Sequence, residues 1–127
     1  TFIRNINSNL TSIPHNPPRL RKDSIRKIID YMNENYSRNI SCSELSSLIK
    51  TNKFTLIRAF KIETGKTPYE YLLDLKLEKA KKMLEDNIYS ITEISLMCGF
   101  SSHSHFTSTF KRKTGQSPTS YKANLNL

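Results

Sequence analysis

Phe54, Ile57, Arg58 and Lys61 fall at i, i+3, i+4 and i+7, so on a helix they share one face. Leu56, Ala59 and Phe60, from the same segment, face another way and are wholly apolar. A helix with an apolar inner face and a second defined face offers that second face to a partner. The chemistry of this one suits the edge of a base pair. The Arg58 guanidinium has the donor fork for guanine O6 and N7, and Phe54 or Ile57 suits a thymine methyl. Lys53 and Lys61 suit phosphates as point charges. The plainer alternative is that Phe54 and Ile57 pack against neighbouring protein and Arg58 pairs with an acid.

A second segment repeats the plan. Phe106 and Phe110 are its inner anchors, while Ser104, Thr107, Ser108 and Lys111 take the outer face, with His103 and His105 near its start. Hydroxyls and imidazoles reach bases or phosphates, though none is a strong reader alone. The two segments are copies at an offset of 50: Phe60 matches Phe110, Lys61 matches Lys111, Thr64-Gly65 matches Thr114-Gly115, Pro68 matches Pro118 and Tyr71 matches Tyr121. Upstream, Glu44 matches Glu93 at an offset of 49, so the second turn is one residue longer. His103 and His105 with Cys98 suggest a metal site only weakly. The ligand count is short and no second cluster completes it, so no metal is expected. There is no GxxxxGK phosphate cradle and no nucleophile set beside a His and an acid, which argues against an enzyme and against a cofactor.

The chain of 127 residues has 20 Lys plus Arg against 11 Asp plus Glu, a formal +9. Such an excess favours a polyanionic partner, nucleic acid first and an anionic membrane surface second. Two cysteines, Cys42 and Cys98, are too few for a disulfide framework and fit a reducing cytoplasm. No apolar run approaches the length of a membrane span and no signal peptide is visible, so no membrane-spanning segment is expected; with nucleic acid ranked first, the leading expectation includes no membrane partner.

The elements that must position these residues are all helical. Residues 1–22, with Pro14, Pro17 and Pro18 among Asn and Ser, read as a linker or arm in which Phe2, Ile3, Leu10 and Ile13 are candidate docking residues. Asp23 caps a first helix to about Tyr36, its inner face Ile25, Ile28, Ile29, Met32 and Tyr36. Ser41 and Glu44 form a capping box for a short helix with Leu45, Leu48 and Ile49 inward. After a break at Lys50-Thr51-Asn52, a third helix runs from Lys53 to about Thr64 and stops at Gly65. The longest helix spans Thr67 to Asp86, with Thr67 as cap, Pro68 in the first turn, and Leu72, Leu73, Leu77, Ala80 and Leu84 as its apolar stripe. Lys76, Lys79, Lys81 and Lys82 are expected largely elsewhere on its circumference. Ser90 and Glu93 box a fifth helix with Ile91, Ile94 and Cys98 inward. Gly99-Phe100-Ser101 is a tight turn. A sixth helix covers roughly Ser102 to Lys113, and Ser117-Pro118 opens a last one carrying Tyr121 and Leu125. The expectation is an all-α chain of about seven helices without a sheet. A first helix-turn-helix lobe (23–66) is joined by a connecting helix (67–86) to a second lobe (87–127).

The run I-T-E-I-S-L-M-C-G-F-S-S-H-S-H-F-T-S-T-F-K-R-K-T-G-Q-S-P-T-S-Y resembles the signature of the AraC/XylS family of bacterial transcription regulators, and the resemblance extends over about residues 23–123. It implies two helix-turn-helix lobes binding double-stranded promoter DNA in adjacent major grooves, contacts to RNA polymerase, and commonly activation. The first recognition helix then presents Phe54, Ile57 and Arg58 to bases. The second presents His103, Ser104, Thr107 and Ser108, while Lys53, Lys61, His105 and Lys111 meet phosphates. Two departures stand out. The family often has Arg where this chain has Ser108, so the first lobe is expected to dominate base readout and the second to bind mostly backbone. It also tends to have Gly where Lys50 stands, and a positive φ there strains the backbone by roughly 1–2 kcal/mol.

The first residue is Thr rather than Met, and H-N-P-P-R-L-R-K resembles the linker of longer members. A fragment of a longer cytoplasmic regulator is therefore expected, with dimerisation and any effector site in an N-terminal domain outside this sequence. The other reading is a basic module that docks a protein or an anionic membrane through the lysines of the connecting helix. About 19 helical residues span roughly 28 Å, against about 34 Å between successive major-groove faces of B-DNA. The connecting helix is thus of the right order for a spacer whose stripe docks on both lobes.

Overall fold

The computed structural model describes residues 22–125, and the expected N-terminal arm lies outside them. Among the described residues there are seven helices and no strand: α1 (Lys22–Asn35), α2 (Cys42–Leu48), α3 (Lys53–Thr64), α4 (Pro68–Asp86), α5 (Ile91–Met97), α6 (His103–Thr114) and α7 (Pro118–Leu125). Asp23 lies within the first turn of α1 rather than before it, where its carboxylate favours the positive end of the helix dipole.

Contacts divide these residues into two compact units. The first takes residues 22–31 and 41–68. In it Ile25, Ile28, Leu45, Leu56, Ala59 and Phe60 are buried, and α2 packs on α3. Ser41 Oγ accepts the Glu44 N–H at 3.1 Å and so caps α2, and the Glu44 carboxylate accepts the Tyr31 hydroxyl.

The second unit takes Met32–Ile40 and the chain from Tyr69 onward. Its core joins Leu73, Leu77, Ala80 and Leu84 of α4 to Ile94, Cys98, Phe100, Phe106 and Phe110, with Tyr36, Met83, Ile91 and Tyr121 packed around it. Phe100, Phe106, Phe110 and Tyr121 form a chain of tilted and edge-to-face rings with centroids 5.0–5.6 Å apart, a favoured aromatic geometry. The capping box expected for α5 is complete, Ser90 Oγ taking the Glu93 N–H and the Glu93 carboxylate taking the Ser90 N–H.

One expectation for α4 fails. Its five stripe residues are buried, but so is Lys76, at 4 % exposure. Lys76 follows Leu73 by three residues and precedes Leu77 and Ala80 by one and four, so it lies in phase with the stripe rather than away from it.

Candidate nucleic-acid interface

The internal repeat holds at the level of individual hydrogen bonds. Asn52 Oδ1 caps α3 by accepting the Thr55 N–H at 2.9 Å, and Ser102 Oγ caps α6 by accepting the His105 N–H at 3.0 Å. At the other ends, the N–H groups of Gly65 and Gly115 donate to Lys61 O and Lys111 O, both at 2.8 Å. Thr64 and Thr114 hydroxyls donate back to Phe60 O at 2.8 Å and Phe110 O at 2.7 Å. Each unit therefore presents one 12-residue helix of fixed ends, held behind a short helix across a tight turn. The turn before α3 has four residues, Ile49 to Asn52, and the turn before α6 has five, Cys98 to Ser102.

On α3 the inner face is as expected, Leu56, Ala59 and Phe60 being buried. Lys53, Arg58 and Lys61 are exposed and Ile57 is half-buried. Phe54 is 83 % exposed, so it serves no core. An exposed apolar ring one turn from an exposed guanidinium leaves both groups available to a partner on the same face of α3.

On α6, Phe106 and Phe110 are buried as expected, and so is Thr109. His103, Ser104, His105, Ser108 and Lys111 are exposed. Two of them are already engaged. The His105 ring meets Phe100 edge-on at 5.4 Å and its Nδ1 lies 3.3 Å from Ser101 Oγ, which leaves one ring nitrogen for a phosphate. The Ser108 hydroxyl donates to His105 O at 3.3 Å. Thr107 is half-buried and its hydroxyl is shielded from solvent without a hydrogen-bond partner, so in this conformation it offers no polar group outward. Of the basic last turn, Lys113 pairs with Asp74 at 2.9 Å.

Sequence reasoning missed Lys76. Its ammonium donates to Tyr36 O at 2.6 Å, Arg38 O at 3.0 Å and Cys98 O at 3.1 Å, with Gly99 O at 3.5 Å. Its pKa is lowered by burial and pulled partly back by Cys98. Burying an ammonium costs several kcal/mol unless its donors are met, and here three close carbonyls meet three N–H bonds. Nor are the neighbouring lysines a free basic strip. Lys79 Nζ lies 5.4 Å above the Tyr36 ring, and of the four only Lys82 is exposed rather than half-buried or buried. That removes most of the motive for reading α4 as a docking surface for anionic membrane.

A family model described as a helix-turn-helix domain matches residues 45–124, taking in both turns and both presented helices. The HTH-type transcriptional activator RhaS of Yersinia pestis (strain Pestoides F) is 35 % identical over 99 residues, covering 78 % of this chain and 36 % of its own length. The chain belongs to the AraC-type helix-turn-helix family. It spans little more than a third of the length of the curated relatives it matches. Among solved structures, an AraC-type DNA-binding domain-containing regulator from Chromobacterium violaceum superposes with a TM-score of 0.76 at 29 % identity, covering 82 % of this chain and 93 % of that one. The DNA-binding domain of AdpA, solved in complex with a target DNA, gives 0.76 at 26 % identity over 80 % of this chain and 91 % of its own. Among the described residues of this AraC-type chain, no helix is long and apolar enough to cross a membrane, and no group of three or more His, Cys, Asp and Glu could hold a metal.

Proposed function

We propose that this chain binds double-stranded promoter DNA in a sequence-specific way and acts as the DNA-binding part of a bacterial transcription regulator, most simply an activator. The observation that carries the reading is the duplicated unit, in which α3 and α6 are capped, terminated and backed alike, while their outer faces carry no core residue. The formal charge of +9 supplies the attraction to phosphate. Membership of a family of transcription regulators argues against catalysis.

In this reading α3 and α6 enter adjacent major grooves. Arg58, with Phe54 and Ile57, reads base edges, while Lys53, Lys61 and Lys111 neutralise phosphates. The α6 side contributes His103, Ser104 and Ser108 and reads bases less strictly, because small hydroxyls replace a bidentate donor. Contact with RNA polymerase, and dimerisation through a further domain, belong to the same reading by family likeness.

The test is enrichment of duplexes from random oligonucleotides, followed by affinity measurements for the enriched and scrambled sequences at several salt concentrations. At least a thousandfold preference is the order expected of a specific site. Equal affinity for both would sink the reading.

A further inference from the structure

Among the described residues Lys76 is the only buried residue that carries a formal charge, and its bonds run to backbone at two separate places. Tyr36 O and Arg38 O lie just beyond the end of α1. Cys98 O is the C-cap carbonyl of α5, and Gly99 O follows it. All belong to the second unit. These are the negative ends of two helices, where a cation is favoured. A leucine in phase with the α4 stripe would fill the seam without desolvating a charge, so what the ammonium adds is direction. Three N–H bonds fix where those carbonyls sit.

The room for it is made by Gly99. A Cβ there would stand 2.4 Å from Lys76 Nζ and 2.7 Å from the carbonyl carbon of Ser37. Cys98 and Gly99 open the turn that ends at Ser102, the N-cap of α6. The backbone gripped by Lys76 is therefore the backbone from which the presented helix departs, and a shift of that grip moves the origin of α6. The first unit's turn, one residue shorter, places the exposed Lys50 where Gly99 stands.

We propose that Lys76, by tying the turn before α6 to the end of α1 and to α4, is the positioning residue that holds α6 in register for DNA. The proposal rests on the DNA-binding reading above.

The test runs random-oligonucleotide selection with the full chain as wild type, Arg58→Ala, Lys76→Met and Lys76→Arg. The base pairs that Arg58→Ala relaxes mark the part of the site read by α3. Lys76→Met is expected to keep those base pairs, to lose preference in the remainder, and to bind the wild-type sequence about tenfold more weakly with an unchanged salt slope. Lys76→Arg, whose guanidinium also donates to carbonyls, is expected to restore most of the loss. Should Lys76→Met fail to fold by circular dichroism, Lys76→Gln carries the same comparison. A folded variant with the wild-type preference throughout, or a loss spread evenly over the whole site, overturns the proposal. Failure of the wild type to enrich any sequence instead overturns the DNA-binding reading.

Discussion

Lys50 and Gly99 occupy one place in the two helix-turn-helix turns, both with left-handed backbone, at φ 52° and 80°. The surrounding hydrogen bonds match. Lys50 N–H donates to Ser47 O and Thr51 N–H to Ser46 O, as Gly99 N–H does to Leu96 O and Phe100 N–H to Ser95 O. The environments do not match, because Lys50 is exposed whereas a Cβ at Gly99 would collide with Ser37 and Lys76. Lys50→Gly relieves roughly 1–2 kcal/mol of strain against about 0.4–1 kcal/mol of added unfolded-state entropy. The expected result in urea unfolding is a net gain of about 0.5–1 kcal/mol. Gly99→Ala adds the same strain and a clash with backbone that cannot swing away, so a loss of about 3 kcal/mol or more is expected. Equal effects at the two positions would contradict this account.

The two thiols should differ in reactivity and in their effect on alkaline stability. Cys42 is half-exposed and Cys98 fully buried, with burial pushing the Cys98 thiol up from 9.0 to about 11 against the opposing pull of Lys76. A thiol reagent should label Cys42 in the folded protein and Cys98 only on unfolding. A folded pKa above the unfolded one gives stability that is present in full below pH 9.0 and is lost as pH rises through about 11. Burial of Lys76 acts in the opposite sense below its ordinary 10.5, so the comparison must be with Cys98→Ala. The stability difference between wild type and that variant should shrink between pH 9 and 11 by something on the order of 2–3 kcal/mol. A difference that stays constant with pH would count against a buried protonated thiol.

Much of this was legible in the sequence, for identifiable reasons. The helices were readable because each carries its own punctuation: Ser90 with Glu93 opens α5, Pro68 opens α4, and Gly65 and Gly115 end α3 and α6. The inner anchors Phe60 and Phe110 were readable from the repeat. Residue type and phase conflict at Lys76, and phase wins. Its position between Leu73 and Leu77 put it on the buried face, but only the carbonyls of Tyr36, Arg38 and Cys98, distant in sequence, make a charge tolerable there. Spacing puts Thr107 on the outer face, but spacing fixes the direction of Cβ and not which branch of a threonine turns inward.

Charge placed in the α4 stripe should disable the second unit without touching any residue proposed to face bases. Leu84 is 1 % exposed and packs in the core that backs Phe106 and Phe110. Leu84→Lys loses the leucine and buries an ammonium with no carbonyl cluster arranged for it, a loss of about 3 kcal/mol or more. Leu77→Lys should act similarly. Lys82→Leu, at an exposed position of the same helix, should stay within about 0.5 kcal/mol. Thermal unfolding and binding to the enriched duplex are the measurements. A stably folded Leu84→Lys with unchanged specific affinity would detach the α4 stripe from DNA recognition.

The exposed residues of α3 and α6 should separate into readers and neutralisers. Arg58 carries a planar fork that suits guanine O6 and N7, so on the proposed reading Arg58→Ala should cost about 1–3 kcal/mol on the enriched sequence and relax preference at one or two base pairs. Lys61 and Lys111 stand at the same place in the two repeats, and both are exposed. Lys61→Ala and Lys111→Ala should each weaken enriched and scrambled duplexes alike and reduce the salt slope by about 1. Ser108 is exposed and spends its hydroxyl on His105 O, so Ser108→Arg removes little and supplies α6 with a fork at the place where the repeat puts Arg58 on α3. That variant should gain a preference for guanine at a base pair where the wild type is indifferent, worth about 1–3 kcal/mol. The contrast lies in what each measurement moves: the fork residues should change which sequence is enriched, and the lysines only how tightly every sequence is held. A salt-slope change for Arg58→Ala without any change in base preference would place Arg58 among the phosphate contacts and leave α3 without a reader of guanine.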